Sequence, residues 1–139
     1  MRAVADTNTV ISGLLWHGAP RKFLDTARAG AISLYTSAAL LAELADVLPR
    51  TKLAKRVAAS GMSVAELARR YALLAQPITS AEIDPVLLAD PDDVHVLACA
   101  LAARADLIVS GDKRLRNIKS YQGILVVTAA DALARLPQR

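Results

Sequence analysis

Short apolar runs alternate with longer amphipathic stretches along the chain, and that alternation predicts its elements. Ala3-Val4-Ala5 gives a strand over Arg2–Ala5. The run breaks at Asp6, and Val10, Ile11, Leu14 and Leu15 then return at helical spacing. A helix over Thr7–Leu15 follows, with Thr7 or Asn8 near its cap. Gly18 and Pro20 mark a loop over residues 16–20; Pro20 opens a helix to Ala29, and Gly30 stops it. Residues 31–36 read as a second strand, Ser37 caps a helix to about Leu48, and residues 49–56 form a short basic helix. Beyond Gly61, Ser63 and Glu66 make the Ser-x-x-Glu capping-box pattern of a helix over 63–76, with a brief strand at 77–79. Pro91 and its neighbouring acids start a helix carrying Val96, Leu97, Ala100 and Leu101. Residues 106–110 are then a strand turned by Gly111, Ile124–Val127 is the last strand, and Thr128 caps a final helix to Leu136.

Strands that are apolar almost throughout, separated by helices, predict a parallel sheet covered on both faces. The expectation is one α/β domain over residues 1–139, without repeats, low-complexity segments or linkers. The chain is 54% hydrophobic but only 4% aromatic, so Ala, Leu, Val and Ile must build its core. No apolar run approaches the roughly 18 residues of a membrane span, and no secretory signal is read at the N-terminus. The single cysteine, Cys99, makes no internal disulfide and fits a reducing cytoplasm. A net charge of +4 allows a polyanionic partner without requiring one.

Four acids stand out by position. Asp6 follows the first strand and Asp112 follows "LIVSG", at the sheet edge where parallel α/β proteins bind ligands. Glu43 lies three residues after Leu40 and four before Val47, on an apolar helix face. Asp93 heads the stripe of Val96, Leu97 and Ala100. Each has a structural reading: Asp6 as an N-cap, Asp112 in a Gly-Asp turn, Glu43 at a boundary, Asp93 at a helix start where the dipole favours negative charge. Four converging carboxylates would repel one another, and a divalent cation removes that objection. All-oxygen donors suit Mg²⁺ or Mn²⁺.

"ADTNTVISGLL" with Asp6 and Asn8, "LLAELADVL" with Glu43, "DPDDVHVLACALAARADLIVSGDKRL" with Asp93 and Asp112, and "ILVVTAADAL" together resemble a PIN-domain nuclease. The resemblance runs from first strand to last helix and is closest to toxin components of bacterial type II toxin–antitoxin pairs, relatives of the VapC toxins. It implies a three-layer α/β/α sandwich with a mostly parallel sheet and a metal-dependent, RNA-cleaving site. Carried over by position, the catalytic and metal-holding quartet is Asp6, Glu43, Asp93 and Asp112, with Asn8 and Ser110 as polar supports. Asp92 is a helix cap or secondary ligand beside Asp93, which is preferred because it lies on the apolar face. Mg²⁺ or Mn²⁺ would activate water for in-line attack on phosphorus. The partners implied are RNA, a protein antitoxin and a second copy of the chain, the last two placed on the helices between Ser37 and Gln76.

Lys113, Arg114 and Arg116 follow Asp112 directly and are the candidate RNA phosphate contacts, with Arg50, Lys52, Lys55 and Arg56 as a second basic group. Scarce aromatics leave little for base stacking. His17 and His95 have no partner at metal-ligand spacing, and Cys99 is read as a small core residue. A haloacid-dehalogenase-like phosphohydrolase would want a second Asp where Asn8 stands, and a receiver module would want an acidic pair where there is only Asp6. An inactive PIN-fold binding module is the remaining alternative, opposed by the four filled acid positions.

Overall fold

The structure, a computed structural model, describes residues 1–81 and 91–136, without the side chains of residues 91 and 92. Its sheet contains β1 (Arg2–Ala5), β2 (Ser33–Thr36), β3 (Gln76–Pro77), β4 (Leu107–Val109), β5 (Ser120–Tyr121) and β6 (Ile124–Val127), in the spatial order β3-β2-β1-β4-β6-β5. Every pairing is parallel except β5 with β6. The helices are α1 (Thr7–Leu15), α2 (Ala19–Arg28), α3 (Ala38–Val47), α4 (Ala54–Ala59), α5 (Val64–Leu74), α6 (Pro91–Ala103), α7 (Lys113–Arg116) and α8 (Ala129–Ala134), with a 3₁₀ turn at Thr51–Leu53. None of the described helices is long and apolar enough to cross a membrane.

Strand side chains alternate between two cores. Ala3, Ala5, Leu34, Leu107, Val109 and Val127 pack with α1, α2, α3, α5 and α8 on one face. Val4, Tyr35, Ile108, Ile124 and Val126 pack with Val96, Leu97 and Ala100 of α6 on the other. This is a three-layer α/β/α sandwich, and it follows from strands that are apolar at both alternating sets of positions. The chain steps from β1 outward through β2 to β3, then crosses to β4 on the opposite side of β1. The carboxyl ends of β1 and β4 therefore border the topological switch point, the crevice where such sheets bind ligands.

Local chemistry sets the element ends close to their predicted places. Ser37 Oγ accepts from Leu40 N and Thr128 Oγ1 from Asp131 N, and Ser63 and Glu66 form the full capping box. The basic stretch after Pro49 is a 3₁₀ turn running into α4 rather than one helix ending at Arg56. Two elements are additional to the predicted set: α7, and the β5 strand that returns antiparallel to β6. Their hairpin turns on Gln122 and Gly123, both in the left-handed region at φ 48° and 83°. In α1, Gly13 permits close approach of α2, since a Cβ there would lie 2.5 Å from Leu24 Cδ1 and 3.0 Å from the Pro20 carbonyl oxygen.

Candidate active site

Asp6 leaves the end of β1 and Ser110 the end of β4. Because Ala5 pairs with Val109, the next residues on each strand stand level, and the Ser110 hydroxyl donates to Asp6 Oδ2. The other carboxylate oxygen, Oδ1, accepts from Thr9 N at 2.8 Å, which makes Asp6 the N-cap of α1. The cap is thus Asp6, as its structural reading had it, rather than the Thr7 or Asn8 that the periodicity suggested. Each oxygen of a carboxylate has two lone pairs, so one accepted hydrogen bond leaves each with one more. Capping a helix and holding an ion are compatible duties for Asp6.

The Ser110 hydroxyl also accepts from Asp112 N at 3.0 Å, so a single buried side chain ties both strand-end acids together. Asp112 Oδ1 in turn accepts from Arg114 N at 2.9 Å and caps α7. The Arg114 Nε lies 3.8 Å from the same oxygen. Hydrogen bonds to charged groups contribute about 1.5–3 kcal/mol each when sheltered, which fixes Asp6 more firmly than Asp112, whose side chain is 31% exposed.

Glu43 comes from α3 and Asp93 from the first turn of α6, and both are half-buried. With Asp6 and Asp112 they line one cavity of about 210 Å³, together with Thr7, Asn8, Val96 and Arg114. The structure therefore brings to one place all four acids singled out from four separate stretches of sequence. Asn8 is exposed on the same cavity wall, whereas the Asp92 side chain lies outside the described residues. Of the three basic residues after Asp112, Arg114 lines the cavity, Lys113 is exposed and is not among its lining residues, and Arg116 is half-buried. The enclosed Arg116 Nε has no hydrogen-bond partner among the described residues. Sequence reasoning placed Thr7 near a helix cap and Val96 in an apolar helix stripe, and put neither in the site. Thr7 is buried, with its hydroxyl enclosed and unpartnered among the described residues.

Among the described residues no three Asp, Glu, His or Cys side chains stand close enough to grip a metal ion together. The donor set nonetheless fits a hard divalent cation: four carboxylates, no sulfur or imidazole, and one guanidinium line the cavity. Mg²⁺ keeps several of its waters and takes one or two carboxylates directly, so acids set around a cavity suit it better than a tight three-ligand cage. The cavity's 210 Å³ matches roughly seven water volumes, room for an ion with part of its hydration shell.

Two neutral groups lie in the packed interior behind the acids. Burial pushes the Cys99 thiol up to about 11, partly offset by a hydrogen bond from Ser37. The Tyr71 phenol is also raised, first by burial and then by Cys99 and Asp6. Both stay protonated at neutral pH, so neither adds negative charge to the four acids.

Comparison with known proteins gives the same grouping of residues a family. The family model described as the PIN domain matches residues 2–114, which takes in β1 through β4, the start of α7 and all four acids. Neither a curated protein nor a solved structure matches the chain. With that match over most of its length, the chain belongs to the PIN-domain family of nucleases.

Proposed function

We propose that the protein is a Mg²⁺- or Mn²⁺-dependent endoribonuclease, acting as the toxin of a toxin–antitoxin pair. The observation that carries the catalytic part is the meeting of Asp6, Glu43, Asp93 and Asp112 in one cavity at the switch point. These four carboxylates would hold the cation, which when bound supplies positive charge to lower the pKa of water and offset charge on a phosphodiester. Ser110 and the α1 N-terminus keep Asp6 in place, and Ser110 with α7 orients Asp112. Arg114, beside Asp112, would hold a non-bridging phosphate oxygen. Asp93 or Asp112 would accept the proton from the attacking water. Attack in line with the P–O3′ bond breaks that bond and leaves a 3′-hydroxyl and a 5′-phosphate. The 2′-hydroxyl takes no part, and the preference for RNA rests on resemblance to the RNA-cleaving members of the family.

The antitoxin and a second copy of the chain are placed on the helices between Ser37 and Gln76, with the whole of residues 1–139 acting as one domain in the cytoplasm. RNA and DNA of identical sequence, incubated with purified protein in Mg²⁺, Mn²⁺ or chelator, test the chemistry. The expected result is cation-dependent cutting of RNA with 5′-phosphate ends; equal cutting in chelator would overturn it. Induced expression in a bacterial host should arrest growth. The product of a small open reading frame immediately beside the gene should relieve that arrest, and free growth on full expression would remove the toxin role.

A further inference from the structure

A second cavity, of about 240 Å³, shares Asn8 with the acid cavity. Gly111, directly before Asp112, lines it as well, so the two cavities lie on either side of Asn8 and of the Gly111–Asp112 peptide. Their linings differ in kind. The acid cavity carries four carboxylates and a guanidinium, whereas among the described residues no charged side chain lines its neighbour. That neighbour has Ala19, Pro20 and Ala129 as apolar surface and Ser12 and Thr128 as neutral polar groups.

We infer that this neutral cavity receives the nucleoside flanking the scissile phosphate of the RNA substrate. The inference rests on the ribonuclease reading above and adds a subsite to it. A nucleic-acid strand alternates charged phosphates with neutral nucleosides, and the two adjoining cavities repeat that alternation. Ala19 and Pro20 open α2 and Thr128–Ala130 open α8, so helix N-termini contribute to this wall. With no cationic side chain there among the described residues, however, its mainly apolar surface suits a base. The space equals roughly eight water volumes, enough for a base or a base with part of its sugar, and too little for a folded peptide segment. With no aromatic platform in its wall, the base is held by apolar contact with alanine and proline rather than by stacking. The Asn8 carboxamide, which both donates and accepts, stands at the boundary where a base edge or ribose hydroxyl passes from one cavity to the other.

Gly111 provides the means of testing this. Its φ is not in the left-handed region, and a Cβ built on it meets nothing within 4 Å, so Gly111→Leu introduces a side chain into open space without backbone strain. Ala130, exposed and on the same cavity's wall, gives a second blocking variant, Ala130→Leu. Oligoribonucleotides containing one cleavage site and a single abasic residue at each position in turn are the probes, with KM and kcat measured in Mn²⁺. For the parent, removing one flanking base should raise KM about tenfold with little change in kcat, since that contact binds ground state and transition state alike. The blocking variants should show that raised KM on intact RNA and no further penalty from the abasic residue. A parent that cuts RNA but shows no positional penalty would overturn the subsite and leave the ribonuclease reading standing. Blocking variants that keep the parent's KM and positional penalty would also overturn it. A parent that cuts no RNA under any cation would remove both. Should Gly111→Leu lower kcat on every substrate alike, it has disturbed Asp112, and Ala130→Leu decides the matter.

Discussion

Helix α1 has a charged cavity at each end, and the two are built on opposite plans. At its N-terminus the acid cavity sets four carboxylates against one guanidinium. At its C-terminus, about 13 Å away along nine helical residues, a cavity of about 450 Å³ is rimmed by Arg21, Arg28, Arg56 and Arg70 with Asp25. Most of those arginines serve the scaffold. Arg21 donates to the carbonyl oxygens of Gly13 at 3.2 Å and Leu14 at 3.1 Å, closing the end of α1. Arg28 pairs with Asp25 at 2.7 Å, and the Arg56 guanidinium stacks 5.0 Å from the Trp16 ring centroid. The acids, by contrast, are gathered at the carboxyl ends of β1 and β4 and on two helices that face the switch point. Charges tied to helix ends and rings are explained by folding, whereas carboxylates gathered at the crevice where parallel sheets bind ligands suit a cation from outside.

The largest expected break in this comparison is Asp6→Asn. Asparagine keeps a capping oxygen for Thr9 N but cannot also accept from the Ser110 hydroxyl, so the variant should lose about 1–2 kcal/mol and remain folded. Its cleavage of RNA should fall by at least about a hundredfold, on the scale seen when a single group stabilising transition-state charge is removed. Cutting at the parent's rate, in preparations free of host nuclease, would show that the gathering of acids has no catalytic meaning.

Next in size is the response to cations. A ligand that binds only the folded state stabilises it by about 2.7 kcal/mol at a hundred times its Kd, so Mn²⁺ should raise the parent's melting temperature. Asp93→Asn relieves one like-charge repulsion and should melt at or above the parent in chelator, yet gain less from saturating Mn²⁺. A parent whose melting temperature ignores Mn²⁺ and Mg²⁺, with Asp93→Asn less stable in both buffers, would reduce Asp93 to a favourable charge at the start of α6.

Arg21→Ala sharpens the contrast from the other end of the helix. Loss of two hydrogen bonds to the last carbonyls of α1 should cost about 1–2 kcal/mol in chemical denaturation, the group being partly exposed, while kcat at a permissive temperature stays at the parent's value. A larger loss of activity than of stability would mean that the arginine cavity is part of the reaction after all. The smallest effect separates two neighbours. Arg114→Ala should lower the slope of log K for RNA against log salt by about 0.7, one phosphate contact on a single strand, and Arg116→Ala should leave the slope unchanged. Equal slopes for both would return the pair to the same footing that their spacing suggested.

The acid cavity was more legible in the sequence than the arginine cavity, for a physical reason. Glu43 and Asp93 are acids on otherwise apolar helix faces, and Asp6 and Asp112 are acids at the ends of apolar runs, so each contradicts its own surroundings. Arg21, Arg28, Arg56 and Arg70 sit among other polar residues on α2, α4 and α5, and only packing brings them together. The Ser110–Asp6 hydrogen bond spans 104 positions and depends on the β1–β4 register, which no local pattern encodes. Among the elements, those with caps or periodicity were legible to within a few residues. The four-residue α7 and two-residue β5 are too short to show a period, although Gly123 beside Gln122 was a turn signal available in the sequence.

The two edges of the sheet have a consequence for how copies of this protein can meet. β3 and β5 are each two residues long, and Pro77 removes one of β3's backbone donors. Neither edge offers a run of unpaired amides on which another strand could register, so the sheet is poorly suited to growing from chain to chain. A fold with this much alanine, valine and leucine in its interior would be exposed to fibrillar association if those edges were long and flat. Among the described residues, stubs at both margins leave little backbone for strand-to-strand pairing between copies.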